Sequence, residues 1–347
     1  MNSKMMMMTA AAFAAIGAGA ATISDVAASQ GYPWNGKVDI SYTISGDIAS
    51  EAAAKGKTVA LAVQALDRET GTKYVADEAA LSGETNLLAG THAIVWDFNV
   101  QGIAMASSNV VFAVLAKVTG STTTPDDPSL GGVQLWEGGP YWAECNVGAS
   151  SPEEYGYYFW WGDTVGYKRE GGTLTGDYDY SGVTWVSSTG ETMGSSPFDK
   201  DSCPTYGLST NELWAAGYIG TNGNLTAAYD AATTHLESPW RMPTDAEFSA
   251  LISNCDTVWT NCNGVAGQLV TGKGDYSSRS IFLPAAGYGD GSGLSYPGSR
   301  GFYWSSTPYS SYSVQAWRLN FNSSNFSRAG NNRYFGQSVR AVRECAK

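Results

Sequence analysis

The sequence predicts two domains of different fold class: an all-β sandwich over residues 31–118 and a larger α+β domain over residues 133–347. Short apolar runs with period-two alternation fill the first region. A stretch rich in proline, serine and threonine separates it from the second region, which combines one clearly marked helix with short strands and polar loops. A length of 347 residues suits two domains of ordinary size.

The composition excludes several function classes before any motif is considered. Lysine and arginine total 20 against 32 aspartates and glutamates, so the net charge is −12. Nucleic acids and anionic membranes repel such a chain, and neither is expected as a partner. The 43% of hydrophobic residues can bury a core, whereas two histidines cannot form a histidine-rich metal centre. We therefore expect no metal and no cofactor.

Residues 1–28 have the pattern of an export signal. Lys4 gives a basic start, and the run from Met5 to Ala21 carries no charge. Ala18-Gly19-Ala20 fits a small-residue cleavage site, and Val26-Ala27-Ala28 is a second candidate. A buried helix is the alternative interpretation. We expect a secreted, periplasmic or surface-displayed protein with no membrane span in the mature chain.

The first domain, residues 31–118, is predicted to contain short antiparallel strands. Apolar and polar residues alternate in the first run, and the later runs are rich in β-branched and aromatic residues. Such runs at this spacing are typical of a small sandwich of immunoglobulin-like character. The predicted strands cover residues 38–44, 58–63, 93–98 and 110–115.

Residues 119–132 have the composition of a linker, stiffened by Pro125 and Pro128. The second domain then contains one clear helix at residues 243–252. Thr244 is an N-cap residue, and Glu247 follows three positions later, which completes a capping box.

The chain contains five cysteines, and an oxidising compartment would permit disulfides. Cys255 and Cys262 are close enough in sequence to close a small loop, and Cys145 with Cys345 would join the two ends of the second domain. Cys203 is then left over. The sequence does not fix this connectivity.

Six segments of the second domain recur in the same order in a known family. They are 142–149, 158–163, 240–244, 280–288, 303–306 and 338–343. Together they resemble the Fibrobacter succinogenes major paralogous domain over nearly all of residues 133–347. The resemblance implies a C-type-lectin-like fold related to formylglycine-generating enzymes. Some proteins with this domain are the variable proteins of diversity-generating retroelements, in which the C-terminal segment is a mutable binding face. The resemblance implies the same role for the C-terminal segment of this chain.

The composition of the C-terminal segment suits a binding face. Residues 291–343 contain no aspartate or glutamate and are crowded with tyrosine, serine, asparagine and glycine, as antibody paratopes are. Trp317, Leu319 and Phe321 alternate with polar neighbours. This pattern predicts a strand whose apolar side chains point into the core and whose polar side chains point outward. The predicted ligand-binding residues are Tyr309, Ser311, Tyr312, Trp317, Asn320, Asn322, Asn325, Arg328, Asn331, Asn332 and Tyr334.

We therefore predict a non-catalytic receptor or adhesin that binds an unknown protein or glycan on a cell or phage surface. Arg318, Arg328 and Arg333 are candidates for contacts with acidic or carbohydrate-bearing partners. A surface loop without a ligand is the simpler interpretation of the same segment, and a structural surface-assembly protein is the alternative function.

An enzyme is the least favoured alternative, and no catalytic residue is predicted. His235 is the only histidine of the second domain, so a nucleophile–histidine pair would need it. Asp163 and Glu144 lie near aromatic runs and would be the carboxylates of a carbohydrate-active enzyme.

Overall fold

The computed structural model describes residues 8–9, 21–30, 35–54, 57–104, 109–121, 131–291 and 293–344. The expected cleavage site Ala18-Gly19-Ala20, most of the linker and Cys345 lie outside these residues. The chain divides into two compact units, residues 1–122 with 210–222, and residues 123–209 with 223–347. The segment 210–222 was expected in the second domain, but it is part of the first unit.

The first unit is built mainly from antiparallel strands. Its elements are β1 (Met8–Thr9), β2 (Ile23–Gln30), β3 (Lys37–Ile44), α1 (Ile48–Ala54), β4 (Lys57–Asp67), β5 (Lys73–Val75), β6 (Leu81–Gly83), β7 (Gly90–Asp97), β8 (Val110–Ser121) and α2 (Thr210–Ala215). One sheet has the order β1-β2-β3-β7-β6 and the other β5-β4-β8.

The two sheets of the first unit enclose one hydrophobic core. Alternate residues of β3 are buried, so Ile40 and Tyr42 point inward with Trp96 of β7. Val63 of β4 and Phe112 of β8 meet them from the other sheet. Period-two alternation therefore produces a β-sandwich here.

The predicted signal segment 1–28 ends inside β2. Val26 and Ala28 are 3% and 4% exposed in the core of the first unit. Ala28 lies opposite Ile40 of β3. The second candidate cleavage site therefore falls within a paired and buried strand.

The described residues of the second unit form several small sheets and two short α-helices. Its elements are β9 (Val133–Gln134), β10 (Tyr141–Trp142), β11 (Tyr167–Leu174), β12 (Tyr180–Ser187), α3 (Ala231–Leu236), α4 (Asp245–Asn254), β13 (Cys255–Cys262), β14 (Val265–Gly272), β15 (Ser280–Pro284), β16 (Tyr288–Asp290), β17 (Gly293–Ser295), β18 (Gly301–Pro308), β19 (Gln315–Asn322), β20 (Asn325–Asn332) and β21 (Val342–Arg343). The sheets have the orders β21-β10-β9, β11-β12-β17-β16, β13-β14-β15 and β18-β19-β20.

The expected α+β C-type-lectin-like fold of residues 133–347 is wrong. Among the described residues of the whole chain, 44% lie in strands and 12% in helices, and the helices are four short ones. The physical reason lies in the composition. The 41 glycines of the chain break it into short segments, and its aromatic and β-branched residues favour extended backbone.

Helix α4 is confirmed with its capping box. The Thr244 hydroxyl accepts from the Glu247 backbone N–H, and the Glu247 carboxylate accepts from the Thr244 backbone N–H at 2.7 Å. Phe248 and Leu251 of this helix are buried in a core with Leu319 and Phe321 of β19. The helix therefore covers one face of the β18-β19-β20 sheet.

The candidate disulfide between Cys255 and Cys262 is not formed in the structure. These cysteines occupy opposite ends of β13, and an extended strand of this length separates its ends by roughly 20 Å. Asn263 and Gly264, both at positive φ, turn the chain directly into β14. The four cysteines within the described residues are all unbridged.

No helix among the described residues is long and apolar enough to cross a membrane.

Candidate functional site

The predicted ligand-binding residues are carried by the antiparallel sheet β18-β19-β20 and the segments beside it. Residues directly opposite each other share a face, and successive residues of a strand point to opposite faces. Leu319 lies opposite Tyr303 and Arg328, whereas Arg318 lies opposite Trp304 and Ala329. The sheet therefore separates its odd and even positions in β19 onto two different surfaces.

The face that packs against α4 carries an aromatic cluster, defined as Tyr309, Tyr312 and Trp317. The ring centroids of Tyr309 and Trp317 are 4.4 Å apart, and those of Tyr309 and Tyr312 are 5.7 Å apart. Tyr312 is 60% exposed, while the other two rings are half-buried. The Arg328 guanidinium lies 5.1 Å from the Trp317 ring centroid.

Arg328 is not available as a free cation. Its Nη1 donates to the Asp245 carboxylate in an ion pair, at the first residue of α4. A carboxylate at a helix N-terminus is itself favoured by the helix dipole. The cluster around Trp317 is thus charge-balanced within the protein.

The opposite face carries most of the asparagines. We call it the asparagine face, and it consists of Arg318, Asn320, Asn322, Asn325, Ser327 and Asn331. The amides of Asn320 and Asn325 both donate to the Ser327 hydroxyl, at 3.1 and 2.8 Å. The Asn322 carboxamide oxygen accepts from the backbone N–H of Ser324, which closes the turn between β19 and β20.

Arg318 on this face is a partly buried cation without a counter-ion in the part of the chain that the structure describes. Its guanidinium lies 4.4 Å from the Phe302 ring centroid, and its Nε and Nη1 are enclosed with no hydrogen-bond partner among the described residues. The pKa of Arg318 is lowered to about 10, mainly by burial; Tyr288 acts in the opposite direction, and the neighbouring Arg300 contributes to the lowering. At neutral pH the side chain therefore keeps its charge.

A second polar atom near Arg318 also lacks a partner. The Asn320 side-chain oxygen is enclosed and accepts no hydrogen bond in the part of the chain that the structure describes. Enclosed polar atoms without partners are uncommon in folded proteins, because each costs about 1–3 kcal/mol. The asparagine face thus concentrates unsatisfied polar groups at its centre.

Arg333, a candidate for partner contacts in the sequence, is fully buried. Its Nε donates to the Gln315 carbonyl, and its Nη1 donates to the carbonyls of Thr205 and Leu208. Its guanidinium also lies 4.9 Å from the Trp161 ring centroid. Arg333 therefore holds loops together. Of the three candidate arginines, Arg318 alone has neither an ion pair nor a hydrogen bond among the described residues.

The eleven predicted residues do not form one surface. Trp317 and Arg328 lie on the α4 side, whereas Asn320, Asn322, Asn325 and Asn331 lie on the asparagine face. Tyr309 and Tyr312 belong to the aromatic cluster on the α4 side, and the other three residues lie at the margins. Ser311 is exposed beside Tyr312, and Asn332 donates to the Tyr334 hydroxyl at 3.4 Å.

Aromatic residues that the sequence did not single out border the asparagine face. Phe302 lies under Arg318, Tyr288 contacts Phe302 with centroids 5.2 Å apart, and Phe335 contacts Tyr288 at 5.0 Å. Tyr334 continues the row next to Phe335 at 4.5 Å. Alternation within β18 places Phe302 opposite Asn320, but the contact with Tyr288 depends on tertiary structure alone.

Two groups of the enzyme alternative, Asp163 and His235, have structural partners. Asp163 is buried and its carboxylate accepts from the backbone N–H groups of Val165 and Gly166, while burial raises its pKa to about 7. His235 Nε2 lies 3.0 Å from the Thr164 carbonyl oxygen, and burial lowers its pKa.

Among the described residues, no group of three or more His, Cys, Asp or Glu side chains is arranged to hold a metal ion.

Residues 272–342 match a family model described as a domain of unknown function (DUF8237). The match covers about a fifth of the chain and includes the whole β18-β19-β20 sheet. No curated protein and no solved structure matches the chain.

Proposed function

We propose that this protein is a non-catalytic binding protein whose asparagine face recognises a carboxylate-bearing partner, with Arg318 at the centre of the contact. The observation that carries the proposal is the charged Arg318 guanidinium, which has no counter-ion among the described residues. In a chain of net charge −12, the acid-free segment 291–343 is a local exception that favours acidic ligands.

The energetics of Arg318 support a binding role. Holding a charge in a poorly solvated position costs free energy unless an opposite charge or hydrogen bonds compensate. An incoming carboxylate would provide the opposite charge and an acceptor for Nη2, the guanidinium nitrogen that is not enclosed, so part of this cost would be recovered in the complex. Arginine is also among the residues most often found at interface hot spots.

The polar side chains around Arg318 suit a protein or glycan partner. Asn320, Asn325 and Ser327 present amide and hydroxyl groups, which adapt their hydrogen bonds to different ligands. Tyr334 adds an aromatic ring at one end of the face. The resemblance to the Fibrobacter succinogenes major paralogous domain favours a partner outside the cell, and a segment open to diversification.

The expected export also favours an extracellular partner. Of the two candidate cleavage sites, the one at Ala18-Gly19-Ala20 would leave β2 intact, whereas cleavage after Ala28 would remove most of a strand that pairs with β3. N-terminal sequencing of the exported protein would distinguish the two sites. Retention of residues 1–20 would contradict export by cleavage.

The binding proposal is tested with a random peptide library displayed on phage and selected on the immobilised full chain. We expect enriched peptides to contain aspartate or glutamate and to bind more weakly as salt increases. Arg318→Gln should weaken their binding by about tenfold or more. The matched control is Arg279→Gln, because Arg279 also stacks on an aromatic ring, 4.6 Å from the Tyr276 centroid, outside the asparagine face.

Two results would overturn the proposal. One is a set of selected peptides without acidic residues. The other is binding that Arg318→Gln and Arg279→Gln weaken equally. Analytical ultracentrifugation tests the assembly alternative: self-association that Arg318→Gln abolishes would show that the partner is a second copy of the chain.

A further inference from the structure

A cleft of about 560 Å³ lies in the second unit, away from the β18-β19-β20 sheet. We call it the tyrosine cleft, because Tyr155, Tyr158, Tyr178 and Tyr180 contribute to its walls. The hairpin of β11 and β12 forms one side, and its volume falls within the roughly 300–1,000 Å³ range of small-molecule sites.

The base of the cleft is fixed and apolar. Tyr158 is 2% exposed, and its hydroxyl donates to the Ala286 carbonyl at 2.6 Å, so its ring is held in place. Leu294 beside it is also buried. Tyr155 and Tyr180 are half-buried and present their rings above this base.

The rim is formed by exposed residues of the hairpin. Tyr178 is 45% exposed and Leu174 is 52% exposed, which is high for large apolar side chains on a short hairpin. Both line the cleft. Tyrosine rings offer an apolar surface together with a hydroxyl group that hydrogen-bonds.

Two cations are oriented at the cleft by aromatic contacts. The Arg169 guanidinium lies 4.4 Å from the Tyr180 ring centroid, and its Nη1 donates to the Gly171 carbonyl. Lys168 Nζ lies 4.8 Å from the Tyr157 ring centroid. Neither side chain forms an ion pair within the described ranges, so both retain donors for a ligand.

Two carboxylates balance these cations. Glu154 is exposed at the cleft, and hydrogen bonds from Ser150 lower its pKa, so it is ionised at neutral pH. Asp177 lies in the turn between β11 and β12. With two positive and two negative side chains, the lining has no net charge that would select an ion of one sign.

We propose that the tyrosine cleft binds a neutral oligosaccharide. The C–H faces of pyranose rings would pack on the tyrosine rings, while hydroxyl groups would donate to Glu154 and Asp177 and accept from Arg169 and Lys168. Aromatic surfaces surrounded by both donors and acceptors, without excess charge, match that chemistry. The site is separate from the asparagine face.

The test is isothermal titration of the full chain with a panel of neutral and sulfated oligosaccharides. We expect at least one neutral oligosaccharide to bind, with an affinity that changes little between low and high salt. Tyr178→Ala should weaken this binding by about tenfold, and Tyr178→Phe should retain most of it. Tyr178 is exposed, so neither substitution should disturb folding.

Controls separate this proposal from the proposed function. Tyr312→Ala removes another exposed tyrosine elsewhere, and Arg318→Gln removes the cation of the asparagine face; both should leave oligosaccharide binding unchanged. The proposal is overturned if no neutral oligosaccharide binds, if only sulfated ones bind, or if Tyr178→Ala and Tyr312→Ala have the same effect.

Discussion

The two faces of the β18-β19-β20 sheet differ in whether their arginine side chain is paired within the protein. On the face covered by α4, Leu319 and Phe321 enter the core, and Arg328 is paired with Asp245. On the asparagine face, Arg318 has no counter-ion and the Asn320 oxygen has no donor within the described residues. The arginine of one face is therefore paired with a carboxylate of the protein, whereas the arginine of the other face is not paired among the described residues.

This difference distinguishes residues that stabilise the fold from residues that lower its stability and are present for another reason. Natural sequences satisfy their polar groups almost everywhere, and exceptions concentrate at functional sites. Neighbouring positions of one strand, such as 318 and 319, can therefore have opposite roles. Their substitutions should differ in sign as well as in size.

The largest contrast is expected between Leu319→Ala and Asn320→Ala. Leu319 is fully buried, so its truncation should lower the free energy of unfolding by about 3 kcal/mol. Asn320→Ala should change the free energy of unfolding by less than about 1 kcal/mol, because it removes one hydrogen bond and one unsatisfied oxygen. Urea unfolding of the two variants measures the contrast. Equal losses would show that both faces are structural.

Gly330→Ala should disturb the aromatic cluster selectively. A Cβ at position 330 would lie 2.5 Å from the Gln315 Oε1 and 2.8 Å from the Tyr309 ring, so Tyr309 would have to move. Because the site becomes overpacked, we expect the free energy of unfolding to fall by about 1–2 kcal/mol. Peptide binding at the asparagine face should be retained, which the phage-selected peptides would measure. If binding is lost, the cluster belongs to the recognition surface.

Arg318→Met and Arg328→Met should have opposite effects on stability. Methionine keeps apolar contact with Phe302 and removes an uncompensated charge, so Arg318→Met should raise the free energy of unfolding by about 1 kcal/mol. Arg328→Met breaks the partly buried ion pair with Asp245 and should lower it by about 1 kcal/mol. Chemical denaturation of both variants checks the signs. A stability loss in Arg318→Met would show that Arg318 supports the fold.

Local signals in the sequence were enough to predict some elements. Thr244 and Glu247 specify the start of α4 because a capping box needs only neighbouring residues. Alternation in β19 likewise predicted the burial of Leu319 and Phe321. The Asn263-Gly264 dipeptide was a further local signal of a two-residue hairpin turn, and it would have excluded the Cys255–Cys262 disulfide.

The division of the candidate site depends on contacts that are distant in sequence. Arg333 and Arg318 look alike in the sequence, but Arg333 is bound by the carbonyls of Thr205 and Leu208, more than a hundred positions earlier. Trp317 was grouped with the asparagines by composition, although the pleat places it on the other face. Composition predicts a binding segment, whereas register decides which residues share a surface.

The smallest expected effect is a pH dependence of the stability difference between the wild type and Arg318→Met, a variant of the asparagine face. Burial lowers the pKa of Arg318 to about 10 from its ordinary 12.5. The folded state therefore binds this proton less tightly than the unfolded state, and the penalty is full below pH 10 and disappears as the pH rises towards 12.5. The stability advantage of Arg318→Met should be constant at neutral pH and shrink above pH 10. Urea unfolding of the wild type and the variant over this range measures it, with Leu319→Ala, which removes no titratable group, as the control. An advantage that stays constant through this range would mean that the Arg318 charge is compensated in the folded protein, and the two faces of the sheet would then not differ in the way proposed.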